Sequence, residues 1–484
     1  MIIASEGPTH PMRFGRQLHS AANGHLLPVI NPSTEQEIGS VPAGGAADVA
    51  SAVERAEEGG RSWTALSWRA RADLLGELAV RLADSAEELA RLDTTDSGNP
   101  ISGMRYDAMR AGEELRYFAG LGGEAKGDSI PWTADQFGLT FREPYGVVGR
   151  ITAFNHPLLY TVGKSAAPLI VGNSVILKPS EHTSLSSLRF AEIAADLLPD
   201  GVLNVVTGTG TEAGAALVEH PRVHRLAFTG GVPTGRAILR AAAEGIKHVS
   251  LELGGKNPMI VFPDVDVDAA VRAAVTGMNL RRSSGQSCQS TSRILVHESI
   301  AGKFIEALVA LVETLRVGDP HRDDVEMGPI SFATHYERVM NYIEIGKSEG
   351  ATLATGGTRP AGLDVGYFIA PTVFTDVDPQ MRIANEEIFG PVMSVLTWND
   401  YDEMLQLANG VEYGLTANVW TRDFTAAHRT AQRLEAGMVW INGETSRPAG
   451  VPFGGFKHSG IGKEGGLSEV LGYTREKSVI VNLV

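Results

Sequence analysis

The run "GVVGRITAFNHPLLYTVGKSAAPLIVGNSVILKPSE", residues 146–181, sets the fold class. A β-branched stretch, "GVVGRITAF", is followed by the helix pattern "LLYTVGKSAAPLIVG" and then by a second short strand, "SVILKPS". Parallel strands need a crossover long enough to bring the chain back to the same edge, so this spacing predicts βαβ units. The alternation continues downstream: "SLSSLRFAEIAADLL" reads as a helix, "VLNVVTG" as a strand, "GTEAGAALVEHP" as a helix and "RLAFTG" as a strand. "PTGRAILRAAAEG" (helix) and "HVSLELGG" (strand) complete a mostly parallel, doubly wound sheet.

A second series follows, with strands "NPMIVF", "SRILVH", "MSVLTW" and "TANVWT" and helices "DAAVRAAVTGMNL" and "IAGKFIEALVALVETL". It predicts a second α/β domain. The first ~120 residues read as mainly helical, with strongly amphipathic runs at 46–63 and 69–92. Between these and the first βαβ unit, residues 120–146 read as a projecting β-hairpin.

The chain has 484 residues, which suggests roughly three domains of ~150 residues. Its net charge is −15, with no long basic run, so neither a nucleic acid nor an anionic membrane surface is the expected partner. No secretory leader or membrane-spanning run is legible, and one cysteine cannot form an internal disulfide. A cytoplasmic protein is the expectation.

Several short stretches carry chemistry. "KPSE" puts Lys178 and Glu181 just after a strand, where an acidic group can accept from both ribose hydroxyls and would repel a 2′-phosphate. "FTGGVPTG" joins a strand to a helix start through Gly230 and Gly231, with Gly235 closing the motif, and helix-end N–H groups suit a pyrophosphate. "VTGTGTEAG" adds another turn, with Gly208, Gly210 and Gly214. The lone thiol, Cys288, lies in "RRSSGQSCQSTSR" among small polar side chains that read as clearance around it. Glu252 ends a strand before a glycine pair and could activate a thiol or a water, and the Asn155 amide could donate to an oxyanion. Each feature alone has an ordinary alternative: an inert thiol, a turn, a cap, a solvated ion pair.

Taken together, "AFNHP", "ILKPSE", "FTGGVPTG", "LELGGKNP", "GQSC", "EEIFGPV" and "PFGGFKHSG", in that order, resemble the aldehyde dehydrogenase superfamily from about residue 25 onward. The resemblance implies a Rossmann-like cofactor domain (1–121 and 144–254), an α/β catalytic domain (255–463) and a small β oligomerisation element (122–143 and 464–484). It implies Cys288 as nucleophile, Glu252 as general base, Asn155 as oxyanion donor and Lys164 as a proton-relay lysine. Lys178, Glu181, Gly208, Gly230, Gly231 and Gly235 fall in the motifs for cofactor binding, and Glu387 and Phe389 match contacts to the nicotinamide ribose and ring. NAD rather than NADP is the implied cofactor, an aldehyde the substrate, and no metal is required. A homodimer or homotetramer is expected, with the C-terminal strand pairing with the hairpin of another subunit and so covering an edge that invites aggregation.

The chain also departs from the pattern. Phe154 stands where many relatives have tryptophan, and Gly231 replaces a serine. Arg281 and Arg282, just ahead of Cys288, are either solvated or bridging to a neighbour, or else enter the substrate tunnel and pair with a carboxylated aldehyde. With the general likeness of this loop to catabolic members, they favour an aromatic or carboxylated substrate. A CoA-acylating enzyme, a catalytically silent homologue and a cysteine hydrolase are the competing readings. Glu252 speaks against the first, the retained thiol, base and amide against the second, and the lack of a histidine signature beside Cys288 against the third. His156 and His458 are expected to make packing or polar contacts.

Overall fold

Residues 146–181 form the predicted strand, helix and strand: Val147–Ile151, Pro157–Ile170 and Ser174–Lys178. The computed structural model describes residues 7–443 and 446–483. Pro157 opens the helix at a position whose N–H needs no intrahelical partner. Gly172, at φ +95°, takes the left-handed turn that leads into the next strand.

Five parallel strands run in the order Leu203–Val205, Ser174–Lys178, Val147–Ile151, Arg225–Thr229 and His248–Glu252. In chain order this is third, second, first, fourth, fifth. The direction of winding therefore reverses between Val147–Ile151 and Arg225–Thr229, and a crevice opens beyond their carboxyl ends. Glu252, Gly230 and the segment carrying Asn155 all leave the sheet on that side.

Both edges of this sheet are finished by antiparallel strands from distant sequence. Met12–Phe14 pairs with Leu203–Val205, and Gly460–Ile461 pairs with Leu251 and Glu252. The first 120 residues are mainly helical, as expected, but four short strands (Met12–Phe14, Gln17–His19, Leu26–Asn31 and Gln36–Pro42) precede the helices that begin at Ala46. Two of these strands have only three residues, too few for a period-2 pattern to show. "GTEAGAALVEHP" is likewise not one helix. A wide turn over Gly210–Gly214, capped by Thr209 accepting from the Glu212 N–H at 3.2 Å, runs into the short helix Ala215–Glu219.

The second sheet has seven strands, with Val392–Trp398, Arg293–His297, Pro258–Val261, Thr416–Trp420 and Met438–Ile441 parallel at its centre and one end. Buried aliphatic residues cover both faces of both sheets, as parallel sheets require.

The hairpin Ser129–Pro131 and Gln136–Pro144 is joined by Thr474–Asn482 in a three-stranded antiparallel sheet. The pairing runs unbroken from Thr474↔Pro144 to Asn482↔Gln136. The C-terminal strand thus pairs with the hairpin of its own chain, not with that of another subunit. Ile130, Trp132, Phe141 and Ile480 remain exposed on this arm. Among the described residues no helix is long and apolar enough to cross a membrane.

Candidate active site

A cleft of about 1220 Å³ opens at the reversal point of the first sheet. Asn155, Lys178, Glu181, Gly230, Gly231, Glu252, Cys288, Glu387 and Phe389 all line it.

Cys288 sits in a loop stitched by hydrogen bonds. Asn257 donates through its amide to the carbonyls of Cys288 (2.8 Å) and Ser290 (2.9 Å). Gln286 is fully buried, donating to the Ser283 carbonyl and accepting from the Ser331 N–H at 3.0 Å. Ser284 exchanges bonds with both backbone groups of Gly328, and Ser290 donates to the Met278 carbonyl at 2.9 Å. Ser284 and Ser290 are therefore ties that fix the loop, not clearance around the thiol. Gly285 has to be glycine: it adopts φ +77°, and a Cβ would lie 2.6 Å from the Gly390 carbonyl.

Burial, reinforced by the charges of Glu252 and Glu387, pushes the Cys288 thiol up to about 12, while Lys164 and the Tyr160 hydroxyl pull the other way. Asn155 is 1% exposed, and its side-chain amide donates to the Gln286 carbonyl at 2.9 Å. Its own carbonyl accepts from Asn99 at 2.9 Å, which fixes the turn between strand and helix. Glu252 is buried, and neither carboxylate oxygen has a hydrogen-bond partner among the described residues. Burial raises it to about 8, against the pull of Lys164, Arg447 and Lys463. A Cβ on Gly454 would lie 2.9 Å from Oε1 of Glu252, so that glycine makes room for the carboxylate.

Lys164 lies behind the cleft wall. It pairs with Glu464, which also reaches Arg150 at 3.4 Å, and Arg150 in turn bonds the Tyr473 hydroxyl. Burial lowers Lys164 to about 8. Its ammonium stands 5.4 Å from the ring centre of Tyr160, one helical turn earlier. Tyr160, Glu464 and Tyr473 carried no signal in the sequence. The i, i+4 spacing of Tyr160 and Lys164 in "YTVGK" is the one cue that could have flagged the tyrosine.

Lys178 is buried, with its ammonium 2.8 Å from the Pro179 carbonyl and 3.5 Å from Glu181. Gly230 donates to the Glu252 carbonyl at 3.0 Å, and a Cβ on it would strike the Phe228 ring. Gly231 caps the helix Val232–Glu244, and a Cβ there would meet nothing closer than Pro233 at 3.8 Å. Gly208 and Gly235 do not line the cleft. A Cβ on Gly208 would press on the Gly44 carbonyl at 2.6 Å, and one on Gly235 on Leu253 at 2.9 Å, so both glycines serve close packing. Glu387 accepts from the Gly255 N–H at 2.9 Å, and burial raises it to about 7. Phe389 adopts φ +63°, a strained conformation for a bulky residue, with its carbonyl accepting from His335 at 2.7 Å.

Arg281 and Arg282 do not reach the cleft. Arg281 donates to Glu326 at 2.9 Å, and Arg282 donates to Asp107 at 2.8 Å while lying over the Tyr106 ring. Asp107 is fully buried and also binds His156 Nδ1 at 2.6 Å, so its carboxylate takes up the arginine's charge. His458 lies near Arg236 and Glu412. Among the described residues no cluster of three or more His, Cys, Asp or Glu could hold a metal ion.

Residues 19–479 match the model of the aldehyde dehydrogenase family. A hydroxyisobutyraldehyde dehydrogenase from Mycolicibacterium austroafricanum is 44% identical over 465 residues, covering 96% of this chain and 92% of the relative. Among solved structures, an NAD+ complex of an aldehyde dehydrogenase from Bacillus cereus is 40% identical with a TM-score of 0.95, over 98% of this chain and 97% of that one. A betaine aldehyde dehydrogenase from Staphylococcus aureus in complex with NAD+ is 36% identical with a TM-score of 0.95, over 98% and 95% of the two chains.

Proposed function

The chain belongs to the aldehyde dehydrogenase family, and we propose that it oxidises a small polar aldehyde to its carboxylic acid through a covalent intermediate on Cys288, with NAD as cofactor. The observation that carries this reading is the meeting of one thiol, one unpartnered carboxyl and one amide donor, Cys288, Glu252 and Asn155, in a single cleft.

The residues present fit a dinucleotide. Gly231 leaves the start of the Val232–Glu244 helix open for a pyrophosphate, and the Glu181 and Glu387 carboxylates can each bind ribose hydroxyls. The NAD complexes of two similar proteins support the same assignment. When bound, the dinucleotide supplies the hydride acceptor.

The protein's own residues then act in sequence. Sulfur of Cys288 bonds to the aldehyde carbon, its proton passing to ionised Glu252, while the Asn155 amide turns from Gln286 to the developing oxyanion. Loss of hydride from that carbon leaves a thioester on Cys288. Glu252 gives up the proton it took from the thiol and, ionised again, removes one from water; the water oxygen bonds to the acyl carbon, the carbon–sulfur bond breaks, Glu252 returns a proton to the sulfur, and the acid departs. Protons leave along Lys164 and Glu464, whose pairing extends to Arg150.

Tyr160 lines the same cleft as Cys288 and Asn155, and its hydroxyl gives the pocket a second polar group. It favours an aldehyde bearing a hydroxyl near the carbonyl, as does the name of the Mycolicibacterium relative. The argument for a carboxylated substrate lapses with Arg281 and Arg282, both paired within the chain. The exposed apolar residues of the three-stranded arm favour a homo-oligomer. A steady-state panel of hydroxy-, carboxy-, aromatic and simple aliphatic aldehydes, run with NAD and with NADP, tests the proposal. Preference for a carboxylated aldehyde would overturn the substrate reading, and turnover that occurs only when CoA is supplied would overturn the hydrolytic one.

A further inference from the structure

The cleft has walls from both halves of the molecule, and five rings line the seam between them. Phe154 and His182 belong to the first sheet's loops; Phe332, His335 and Phe389 belong to the segments of the second. His182 lies flat on Phe332, with ring centroids 3.8 Å apart and planes 9° from parallel. Phe332 meets the edge of Phe154 at 5.0 Å, and Phe154 meets Phe389 and His335 at 5.7 Å each. Ring contacts therefore run without a gap from the residue after Glu181 to the residue two beyond Glu387, the two carboxylates assigned to the riboses.

We propose that His182 and Phe332 form a clasp across the cleft, which must part for a dinucleotide to enter and which slows the departure of the reduced form. The inference rests on the assignment of this cleft to the dinucleotide. Three observations support it. The pair joins opposite walls. Phe332 sits at the N-cap of the helix Ala333–Ser348, so its movement is tied to the helix that also supplies His335 and Arg338 to the cleft. The side chain of His182 makes no hydrogen bond among the described residues, so its stack on Phe332 can break without leaving a hydrogen bond unmade.

Stopped-flow fluorescence tests this by following NADH as excess NAD displaces it from the wild-type protein and from His182→Ala, Phe332→Ala and the double variant. The expected result is a dissociation rate about three- to tenfold faster in each single variant, consistent with the worth of one aromatic pair. The double variant should be no faster than the quicker single, because both changes remove one contact, and His182→Phe should restore slow release. His182 is exposed, so its variants test the clasp even where Phe332→Ala perturbs folding. Unchanged dissociation in His182→Ala, or rates that multiply in the double variant, overturn the clasp while leaving the cleft assignment intact. A wild-type protein that binds no NADH overturns both.

Discussion

The side-chain amide of Asn155 donates to the carbonyl of Gln286 at 2.9 Å, two residues ahead of Cys288. Asn155 and the loop that carries Cys288 are thus tied together, and in the proposed mechanism this sets the oxyanion donor beside the nucleophile before substrate arrives. Asn155→Ala should lower kcat by about 10²–10³-fold, the usual loss for one oxyanion donor. A burst of NADH that survives at the wild-type rate would show that the amide only braces the loop.

In the proposed mechanism Glu252 acts as a base only when ionised, and burial raises it to about 8. Turnover should therefore rise as pH climbs through about 8 and level off above it. The sign follows from the raised value: below it the protonated carboxyl dominates and cannot take a proton from thiol or water. In Glu252→Gln that inflection should vanish, and turnover should fall at least 10²-fold with little acyl-enzyme formed on Cys288, because the thiol loses its proton acceptor too. Mass spectrometry of the quenched protein reads the adduct directly.

The carboxylate of Glu114 fills the space that a side chain at position 163 would occupy: a Cβ on Gly163 would stand in contact with Glu114 Oε2 and 3.3 Å from its Cδ. Gly163→Ala should destabilise the protein by roughly 1–3 kcal/mol through overpacking, despite alanine's better helix propensity. Adding Glu114→Ala should recover part of that loss, as a denaturation double-mutant cycle would record.

Arg282 should matter for stability and not for choice of aldehyde. Its removal leaves Asp107 buried with His156 as its remaining partner, so Arg282→Ala should cost roughly 3 kcal/mol. The ratio of kcat/KM for acidic and neutral aldehydes should stay level. A selective rise in KM for acidic aldehydes would return this arginine to the substrate path.

The doubly wound sheet was legible because strand and helix periods are local, and so were the places of the candidate residues: Glu252 ends a strand, Asn155 follows one and Cys288 precedes one. What stayed hidden depends on distant partners. Glu464 acquires its place only by meeting Lys164, three hundred residues earlier in the chain. Phe332 has meaning only against His182. Gly208 and Gly235 misled because a glycine that admits another backbone or side chain looks, in sequence, like one that admits a phosphate. Arg281 and Arg282 misled because a charge does not announce its counter-ion, and theirs lie at Glu326 and Asp107. Two of the N-terminal strands were missed because three residues are too few to display alternation.

The Gly460–Ile461 strand closes the cofactor sheet against Glu252, and Arg150 finds Glu464 and Tyr473 more than three hundred positions downstream. These pairings impose a timetable on synthesis. A ribosome making the chain releases the parallel core early, yet the sheet edge beside the base stays bare, and Arg150 and Lys164 stay buried without their counter-ions, until the 460s and 470s emerge. Cys288 is therefore synthesised well before the strand that closes the sheet edge beside Glu252. One late segment completes both the sheet edge and the ion pairs of Lys164 and Arg150.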